Sequence, residues 1–324
     1  MAAPFFTVMT PTFNRARTLH RVFDSLAAQS FTDFEWLVVD DGSTDDTAEK
    51  VRIWQRQASF PVRYVWQPNR HKKAAFNHGV REAMGGWLVE LDSDDALEPD
   101  ALKQMHAVAQ GLPGESGRVE GGEAKQPAEE GAAQRPFFAV TGLCVRPDGR
   151  VVGDRFPQDG MDASVLDMVF RYRVAGEKFG CMRTEVLRRF PFPEDLPGFV
   201  PESLVWRAIA RAGYLSRHVN LVFRIYHDSG DSLSRQTADV GRHALGLWLL
   251  AHDTLLNCMP WFRYWPQAFL LAAARYARFG LHLRRSGQAV PELAPLTGLA
   301  RLLYWLMWPA GVMLYWRDRW LARH

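Results

Sequence analysis

Short apolar runs alternate with amphipathic segments in the N-terminal part of the chain. Between the first two runs, apolar residues recur at the i, i+3, i+4 and i+7 positions of one helical face, at Leu19, Val22, Phe23 and Leu26. The runs themselves have the length of buried strands and cover residues 6–10, 36–39, 62–66 and 87–91. Strands that alternate with helices in this way predict an α/β fold with a mostly parallel sheet and helices on both faces.

The composition changes abruptly at residues 111–136, which are rich in Gly, Glu, Pro, Gln and Ala and have hardly any apolar anchor. A segment of this kind cannot bury enough apolar surface to offset the entropy of ordering, so we predict a disordered surface insertion. Apolar runs resume at 137–140, and a further helix is predicted over 201–212.

Residues 236–324 differ from the rest of the chain in charge and in aromatic content. They contain ten Arg, four acidic residues and seven of the twelve Trp, a net charge of +6, so the remainder carries −3 of the total of +3. Arg and Trp on apolar helices are typical of segments that rest on anionic lipid. We therefore predict a catalytic domain at 1–235 and a helical, possible membrane-associating region at 236–324.

An apolar stretch without charge extends over residues 302–316 of this region. It is short for a membrane span and is interrupted by Pro309 and Gly311, which favours an interfacial hairpin or helix pair. The alternative is a helical domain that packs its apolar faces on the catalytic core. Nucleic acid is disfavoured as a partner, because long apolar runs separate the basic residues and no recognition motif accompanies them.

The cysteines indicate a reducing compartment. Cys144, Cys181 and Cys258 are odd in number and widely spaced, with no Cys-x-x-Cys pair. The first residues have neither a basic segment nor a long apolar one of the secretory type. We expect a cytoplasmic protein, peripheral at the cytoplasmic face of the membrane.

Three carboxylates follow the fourth predicted strand directly, at Asp92, Asp94 and Asp95. Strand ends in open α/β sheets face the ligand crevice, and paired carboxylates there suit a divalent cation that also holds a diphosphate. An EF-hand calcium loop is excluded, since its sixth and twelfth positions counted from Asp92 are Leu97 and Lys103 rather than Gly and Glu. A nucleotide-dependent transferase is the first hypothesis.

Three strings at predicted strand ends resemble a family 2 glycosyltransferase of the GT-A fold. They are Thr10-Pro11-Thr12-Phe13-Asn14-Arg15, Val38-Val39-Asp40-Asp41-Gly42-Ser43-Thr44-Asp45 and Leu91-Asp92-Ser93-Asp94-Asp95. Residues 69–79 and 199–206 resemble two further strings of the family, although Arg70 and His71 stand where the family often has glycines. The resemblance covers residues 5–235 and implies a GT-A type, Rossmann-like sheet.

The resemblance also implies a donor site for a nucleotide sugar. In it, Pro11 and Phe13 pack on the nucleobase, Arg15 approaches phosphate, Asp41 accepts the ring N–H of the base, and Lys72 lies beside the diphosphate. The alternatives are an ordinary strand-to-helix turn for the first loop and a solvated helix start for the lysine.

Metal ligands are implied by the same resemblance. Asp94 would lie near ribose and metal, Asp95 would ligate Mg²⁺ or Mn²⁺, and Asp92 is expected to be structural. Helix capping is expected to account for Asp45 and Asp46.

Glu202 is the candidate general base, because a carboxylate at a helix start near the acceptor can take the proton from a hydroxyl. Many members of the family have an Asp immediately after this Glu, whereas this chain has Ser203. The alternative is a Glu at a helix N-terminus that only stabilises the helix dipole.

Together these features predict a metal-dependent, inverting glycosyltransferase. It would move a sugar from a nucleotide-diphosphate sugar, with a UDP-sugar favoured, to a lipid-linked or cell-surface glycan. A sugar-phosphate nucleotidyltransferase is one alternative, but it should have a Gly-rich phosphate loop after the first strand, and residues 11–15 contain no glycine. A non-catalytic, membrane-bound protein that binds nucleotide sugars is the other.

Overall fold

The computed structural model describes residues 3–113, 135–227, 241 and 243–322. The chain divides into two compact units, the first formed by 1–165, 174–191 and 209–228 and the second by 166–173, 192–208 and 229–324. Residues 166–173 and 192–208, which precede the rest of the second unit in the sequence, therefore belong to it, and the domain boundary at 235 stays a prediction. The predicted insertion at 111–136 lies, except for its first three and last two residues, outside the described residues.

The first unit contains a mixed sheet. Its described strands are β1 (Phe6–Thr12), β2 (Phe34–Asp40), β3 (Val62–Trp66), β4 (Trp87–Glu90), β5 (Ala96–Leu97), β6 (Phe137–Val145), β7 (Met161–Ala163), β8 (Lys178–Arg183) and β9 (Leu215–Ile225). The strand order is β3-β2-β1-β4-β8-β6-β9-β5, with β7 paired to β9. The strands β3, β2, β1 and β4 are mutually parallel, so their carboxyl ends meet at one edge.

The helices of this unit are α1 (His20–Ala27), α2 (Thr47–Gln57), α3 (His71–Glu82), α4 (Ala101–Gln110) and α5 (Thr184–Arg189). Because successive strand residues point to opposite faces, Val8 and Val38 join a core cluster with Leu26 of α1. On the other face, Met9 and Val39 lie against Gly79 of α3. Helices therefore cover both faces, and the predicted α/β class is confirmed.

One strand is longer than its sequence pattern indicated. The loop was expected to begin at Pro11, but β1 extends to Thr12 and Pro11 is paired in register with Val39. The backbone N–H of Leu91 donates to the carbonyl of Met9, so the backbone groups of Met9 face β4. Because alternate residues of a strand face the same neighbour, the backbone nitrogen of Pro11 faces β4 as well. The ladder with β4 ends opposite Met9, so the missing N–H of Pro11 interrupts no pairing.

The second unit is helical in its described residues. It contains α6 (Ser203–Arg211), whose residues from Ile209 onward belong to the first unit, α7 (Ala244–Asn257), α8 (Pro266–Ser286) and α9 (Gly298–Leu321). Helix α9 continues through Pro309 and packs along α8, so of the two arrangements expected, a hairpin or a helix pair, the structure has the helix pair, and its placement at an interface stays a prediction. None of the described helices combines the length and apolarity that a membrane span requires.

Candidate functional site

The loop after β1 and the turn after β2 are joined by side chains. The backbone N–H of Asn14 donates to Ser43 Oγ at 2.8 Å, and the N–H of Thr44 donates to Asn14 Oδ1 at 2.8 Å. Asn14 has a φ of 53°, a left-handed conformation that Asn tolerates better than most residues. The two loops therefore form one rigid wall at the carboxyl edge of the sheet.

Asp41 lies at the centre of this wall and is 4% exposed. Its N–H donates to the carbonyl of Thr12 at 2.8 Å, and its Oδ1 accepts hydrogen bonds from Gln67 Nε2 at 2.7 Å and from the N–H of Arg70 at 2.9 Å. Its Oδ2 accepts no hydrogen bond from the described residues. One carboxylate oxygen thus fixes the side chain, and the other remains able to accept a ligand N–H.

The turn that follows Asp41 needs a glycine. Gly42 has a φ of 88°, and a Cβ at this position would lie 2.9 Å from the backbone nitrogen of Asn69. Only glycine adopts this conformation without strain and admits the close approach of the 69–70 backbone. That approach places the N–H of Arg70 on Asp41.

The other acidic residues near this turn have structural partners. Asp40 accepts from the N–H of Ser43 at 2.7 Å and from Tyr64 Oη at 2.6 Å; burial and the carboxylate of Asp40 raise the pKa of Tyr64. Asp45 accepts from the N–H of Thr47 at 3.1 Å, at the start of α2, as expected for a cap. Asp46 is the N-cap residue but makes no side-chain capping bond, so that part of the expectation is wrong.

The loop residues assigned to the nucleobase and phosphate occupy different environments. Pro11 is buried inside β1, whereas the ring of Phe13 is 47% exposed and Arg15 is partly exposed. The N–H of Arg15 donates to Thr47 Oγ1 at 3.2 Å, and its charge helps to lower the pKa of Asp92. Phe13 and Arg15 therefore present side chains at this edge, while Pro11 shapes the backbone beneath them.

Lys72, in the first turn of α3, is held by carboxylates. Its Nζ lies 2.9 Å from Asp92 Oδ1 and 3.2 Å from Glu90 Oε1. Burial alone would raise the pKa of Asp92, but Lys72 and then Arg224 hold it below its ordinary value. Residues 70–72 thus connect Asp41 at one end of the edge with Asp92 at the other.

Asp95 is the most buried member of the acidic turn and is 1% exposed. Its Oδ1 accepts from the N–H of His227 at 2.8 Å, and its Oδ2 lies 3.4 Å from Arg224 Nη1. Burial raises the pKa of Asp95 to about 7, an effect that Arg224 opposes and Asp92 reinforces. Asp94 lies beside it, with its backbone carbonyl accepting from Arg21 Nη1 at 3.0 Å.

Arg224 is the central cation of this edge, and sequence reasoning missed it. Its guanidinium contacts three carboxylates, those of Asp92 at 3.3 Å, Asp95 at 3.4 Å and Glu177 at 3.3 Å. It also lies over the ring of Phe179 at 5.0 Å. Burial opposes its charged form, but the surrounding groups raise its pKa above the usual value. The available signal was an arginine inside the apolar run 221–225, since buried arginines require partners.

Glu202 belongs to the second unit, and the structure describes it there. Its carbonyl accepts from the N–H of Val205 at 2.9 Å and of Trp206 at 3.2 Å, so it lies at the N-terminal boundary of α6, as predicted. The other predicted site residues, from Pro11 to Asp95, are all in the first unit.

The donor atoms of the acidic turn fit a metal only in combination with a ligand. The described residues include no group of three or more His, Cys, Asp and Glu side chains arranged to hold a metal ion. Asp92 is bound to Lys72 and Arg224, and Asp95 is bound to Arg224 and to the N–H of His227, so a cation at Asp94 and Asp95 would share these carboxylates with protein partners. Mg²⁺ typically binds through one or two carboxylates together with substrate phosphates and water. The residues therefore fit a cation that a diphosphate accompanies.

Comparison with known proteins agrees with this geometry. Residues 7–114 match the model of Glycosyl transferase family 2. Chondroitin synthase of Escherichia coli is 40% identical over 102 residues, which are 31% of this chain and 14% of that protein. A PGL/p-HBAD biosynthesis glycosyltransferase of Mycobacterium bovis is 38% identical over 108 residues, 33% of this chain and 42% of that protein. The chain thus spans less than half the length of these relatives.

Solved structures resemble the chain over most of its length. Residues 1–349 of S. aureus TarS, in complex with UDP-GlcNAc, align with a TM-score of 0.58 and 20% identity over 88% of this chain and 73% of that chain. The mannosyltransferase PcManGT from Pyrobaculum calidifontis, in complex with GDP-Man and Mn²⁺, aligns with a TM-score of 0.55 and 20% identity over 98% of this chain and 83% of that chain. These likenesses show a fold of the GT-A type, and within it residues 7–114 match the model of Glycosyl transferase family 2.

Proposed function

We propose that this protein is an inverting glycosyltransferase that moves a sugar from a nucleotide-diphosphate sugar, with a UDP-sugar favoured, to a lipid-linked or cell-surface glycan. The observation that carries the proposal is the shared edge at which Asp41, Lys72 and the acidic turn 92–95 lie within one segment of the family. A binding site for a nucleotide and a site for its diphosphate thus follow each other along the carboxyl ends of β2 and β4.

The nucleobase is recognised by Asp41 and the first loop. With Oδ1 held by Gln67 and Arg70, Oδ2 of Asp41 accepts the ring N–H of the base, and the exposed ring of Phe13 provides an apolar face. A buried carboxylate that is already oriented discriminates strongly, because a base without the N–H leaves it unpaired. These residues therefore select the base rather than the sugar.

The diphosphate is neutralised by cations at the acidic turn. Lys72 and Arg15 are the side chains that would approach phosphate, and Asp94 and Asp95 would hold Mg²⁺ or Mn²⁺. When bound, the metal ion neutralises the charge that develops on the leaving diphosphate. Glu202 takes the proton from the acceptor hydroxyl, a role supported by its position before α6 and by the resemblance of 199–206 to the family.

The test is a panel of UDP-, GDP- and dTDP-sugars, screened by calorimetry for binding with and without Mn²⁺ and by product analysis for transfer. We expect one nucleotide to bind in a Mn²⁺-dependent manner and Asp41→Asn to weaken it about tenfold or more, since a hydrogen bond to a charged group contributes about 1.5–3 kcal/mol. The exposed Asp33→Asn is the matched control. Absence of binding across the panel contradicts the proposal.

The catalytic step needs its own variant. Glu202→Gln should bind the donor as tightly as the unmodified protein and lose about 100-fold or more in turnover, as expected for a general base. Unchanged turnover would remove Glu202 from the mechanism. Donor that binds but stays intact with every acceptor would instead favour a non-catalytic nucleotide-sugar-binding protein.

A further inference from the structure

Helix α9 of the second unit has two faces of opposite character. One face is buried, and its buried residues are Ala300, Leu303, Gly311, Tyr315 and Asp318. Gly311 permits close contact with α8, since a Cβ there would lie 2.6 Å from the carbonyl of Ala274. The packed face therefore anchors the helix firmly and fixes which residues are directed away from α8.

The opposite face is a continuous apolar stripe. Its side chains are each 58–67% exposed, and they are Leu302, Trp305, Leu306, Met313, Trp316 and Trp320. Counted from Leu302, they fall at i, i+3, i+4, i+11, i+14 and i+18, which lies within one helical face. At 1.5 Å per residue the stripe is about 27 Å long. Monomeric soluble proteins seldom expose so many large apolar side chains in one row.

The charges around the stripe are positive. The arginines of α9 are Arg301, Arg317 and Arg319, and the side chain of Arg317 is 57% exposed. The acidic residue within 298–321 is Asp318, which is buried and held by Arg278 at 2.5 and 2.6 Å. No exposed negative charge on α9 therefore opposes an anionic surface.

We propose that α9 binds an anionic lipid surface, lying in the plane of the interface with the stripe facing the acyl chains. Three of the six stripe residues are Trp, whose apolar ring and polar N–H suit the boundary between headgroups and acyl chains. The arginines bind the lipid phosphates, and the face packed on α8 is directed away from the lipid. A second copy of the chain is disfavoured, because it would bring two sets of arginines together.

The test is flotation of the full-length protein with vesicles. We expect binding to vesicles that contain phosphatidylglycerol and much weaker binding to vesicles of phosphatidylcholine alone. The variant L302Q/L306Q/M313Q should lose about 100-fold in partitioning, since each buried side chain contributes about fivefold. Met84→Gln, which replaces an apolar side chain that is 50% exposed in the first unit, is the matched control and should bind normally.

A second variant separates charge from apolar contact. R317Q/R319Q leaves the stripe intact and should reduce binding to the anionic vesicles about 25-fold, at about fivefold per arginine. Circular dichroism checks that both variants keep their helices. Equal binding to neutral and anionic vesicles overturns the proposal, as does self-association of the unmodified protein that L302Q/L306Q/M313Q abolishes without any vesicle binding. Donor binding is not required for either readout, so the result is independent of the proposed activity.

Discussion

The sheet of the first unit has a buried carboxylate near each end of its parallel strands, Glu35 at the amino end and Asp95 at the carboxyl end, and the two have different partners. At the amino end, Glu35 is fully buried and accepts from Thr7 Oγ1 at 2.6 Å, from the N–H of Met84 at 2.9 Å and from Arg63 Nη1 at 3.2 Å. At the carboxyl end, Asp92, Asp95 and Glu177 share the guanidinium of Arg224.

The different partners of the two ends indicate different roles, one in stability and the other in function. One carboxylate with three donors is fully satisfied, and removing it exposes the donors to an apolar environment. At the carboxyl end Arg224 and Lys72 are shared among several carboxylates, and burial raises the pKa of Asp95 to about 7, so a further cation would stabilise its charged form. We therefore expect the amino end to contribute to folding and the carboxyl end to contribute mainly to the binding of a metal and a diphosphate.

The largest effect is expected for Glu35→Ala. It leaves the hydroxyl of Thr7 and the N–H of Met84 without this acceptor, whereas Arg63 keeps its bonds to the carbonyl and carboxylate of Glu82. Leaving a buried donor unsatisfied costs about 1–3 kcal/mol for each donor. Urea unfolding measures the loss, with Glu49→Ala at an exposed position of α2 as the control. A loss no greater than that of the control would mean that the amino end does not stabilise the fold.

The second prediction concerns the pH dependence of stability at a residue that belongs to neither end of the parallel strands. Burial lowers the pKa of His218, in β9, to about 4. Between this value and the ordinary value of about 6.5, the unfolded chain binds the proton and the folded chain does not. The free energy of unfolding that neutral His218 contributes is therefore fully present above the pKa of this residue in the unfolded chain. It is lost as the pH falls toward the pKa of His218 in the folded protein.

The measurement is urea unfolding at two pH values. Between about pH 7.5 and about pH 5 we expect a loss of about 2 kcal/mol from this group. His218→Gln, which can still donate to the carbonyl of Ala163, should flatten that dependence, whereas the exposed His20→Gln should not. Equal pH slopes for His218→Gln and the unmodified protein would contradict the assignment.

The third prediction tests the role assigned to the carboxyl end of the sheet. Asp95→Asn removes one of the crowded carboxylates, so the free energy of unfolding should change by no more than about 1 kcal/mol. Turnover should fall about 100-fold, because a carboxylate for the metal is lost. Assays across Mn²⁺ concentration measure the activity, and Asp24→Asn on the exposed side of α1 is the control. A large loss of stability with normal turnover would reverse the roles of the two ends.

The smallest effect is expected for Gly42→Ala. The positive φ and the close backbone of Asn69 should cost about 1–2 kcal/mol and displace the N–H of Arg70 from Asp41. We expect donor binding to weaken about tenfold, as measured by calorimetry. Gly149→Ala is the control for the strain of a positive φ alone, because a Cβ at that position meets nothing within 4 Å.

The sequence predicted the strands and their ends because buried runs such as 36–39 and 87–91 have a clear period and length, and because polar residues follow them directly. It located the acidic turn at a strand end for the same reason, whereas Asp41 was chosen by resemblance to the family, and the roles of both stay predictions. It could not predict Arg224, because its carboxylate partners come from two segments that are far apart in the sequence, the acidic turn 92–95 and Glu177. Nor could it predict that α9 continues through Pro309, since the packing of Gly311 and Asp318 on α8 outweighs the local preference for a break.

The segment 70–72 links the two ends of the proposed donor site through one short piece of backbone. The N–H of Arg70 is bound to Asp41, and two residues later the ammonium of Lys72 is bound to Asp92. A ligand whose phosphates displace Lys72 would also strain the hydrogen bond between the N–H of Arg70 and Asp41. We therefore expect recognition of the base and recognition of the diphosphate to be coupled, in which case each changes the affinity of the other by the same factor.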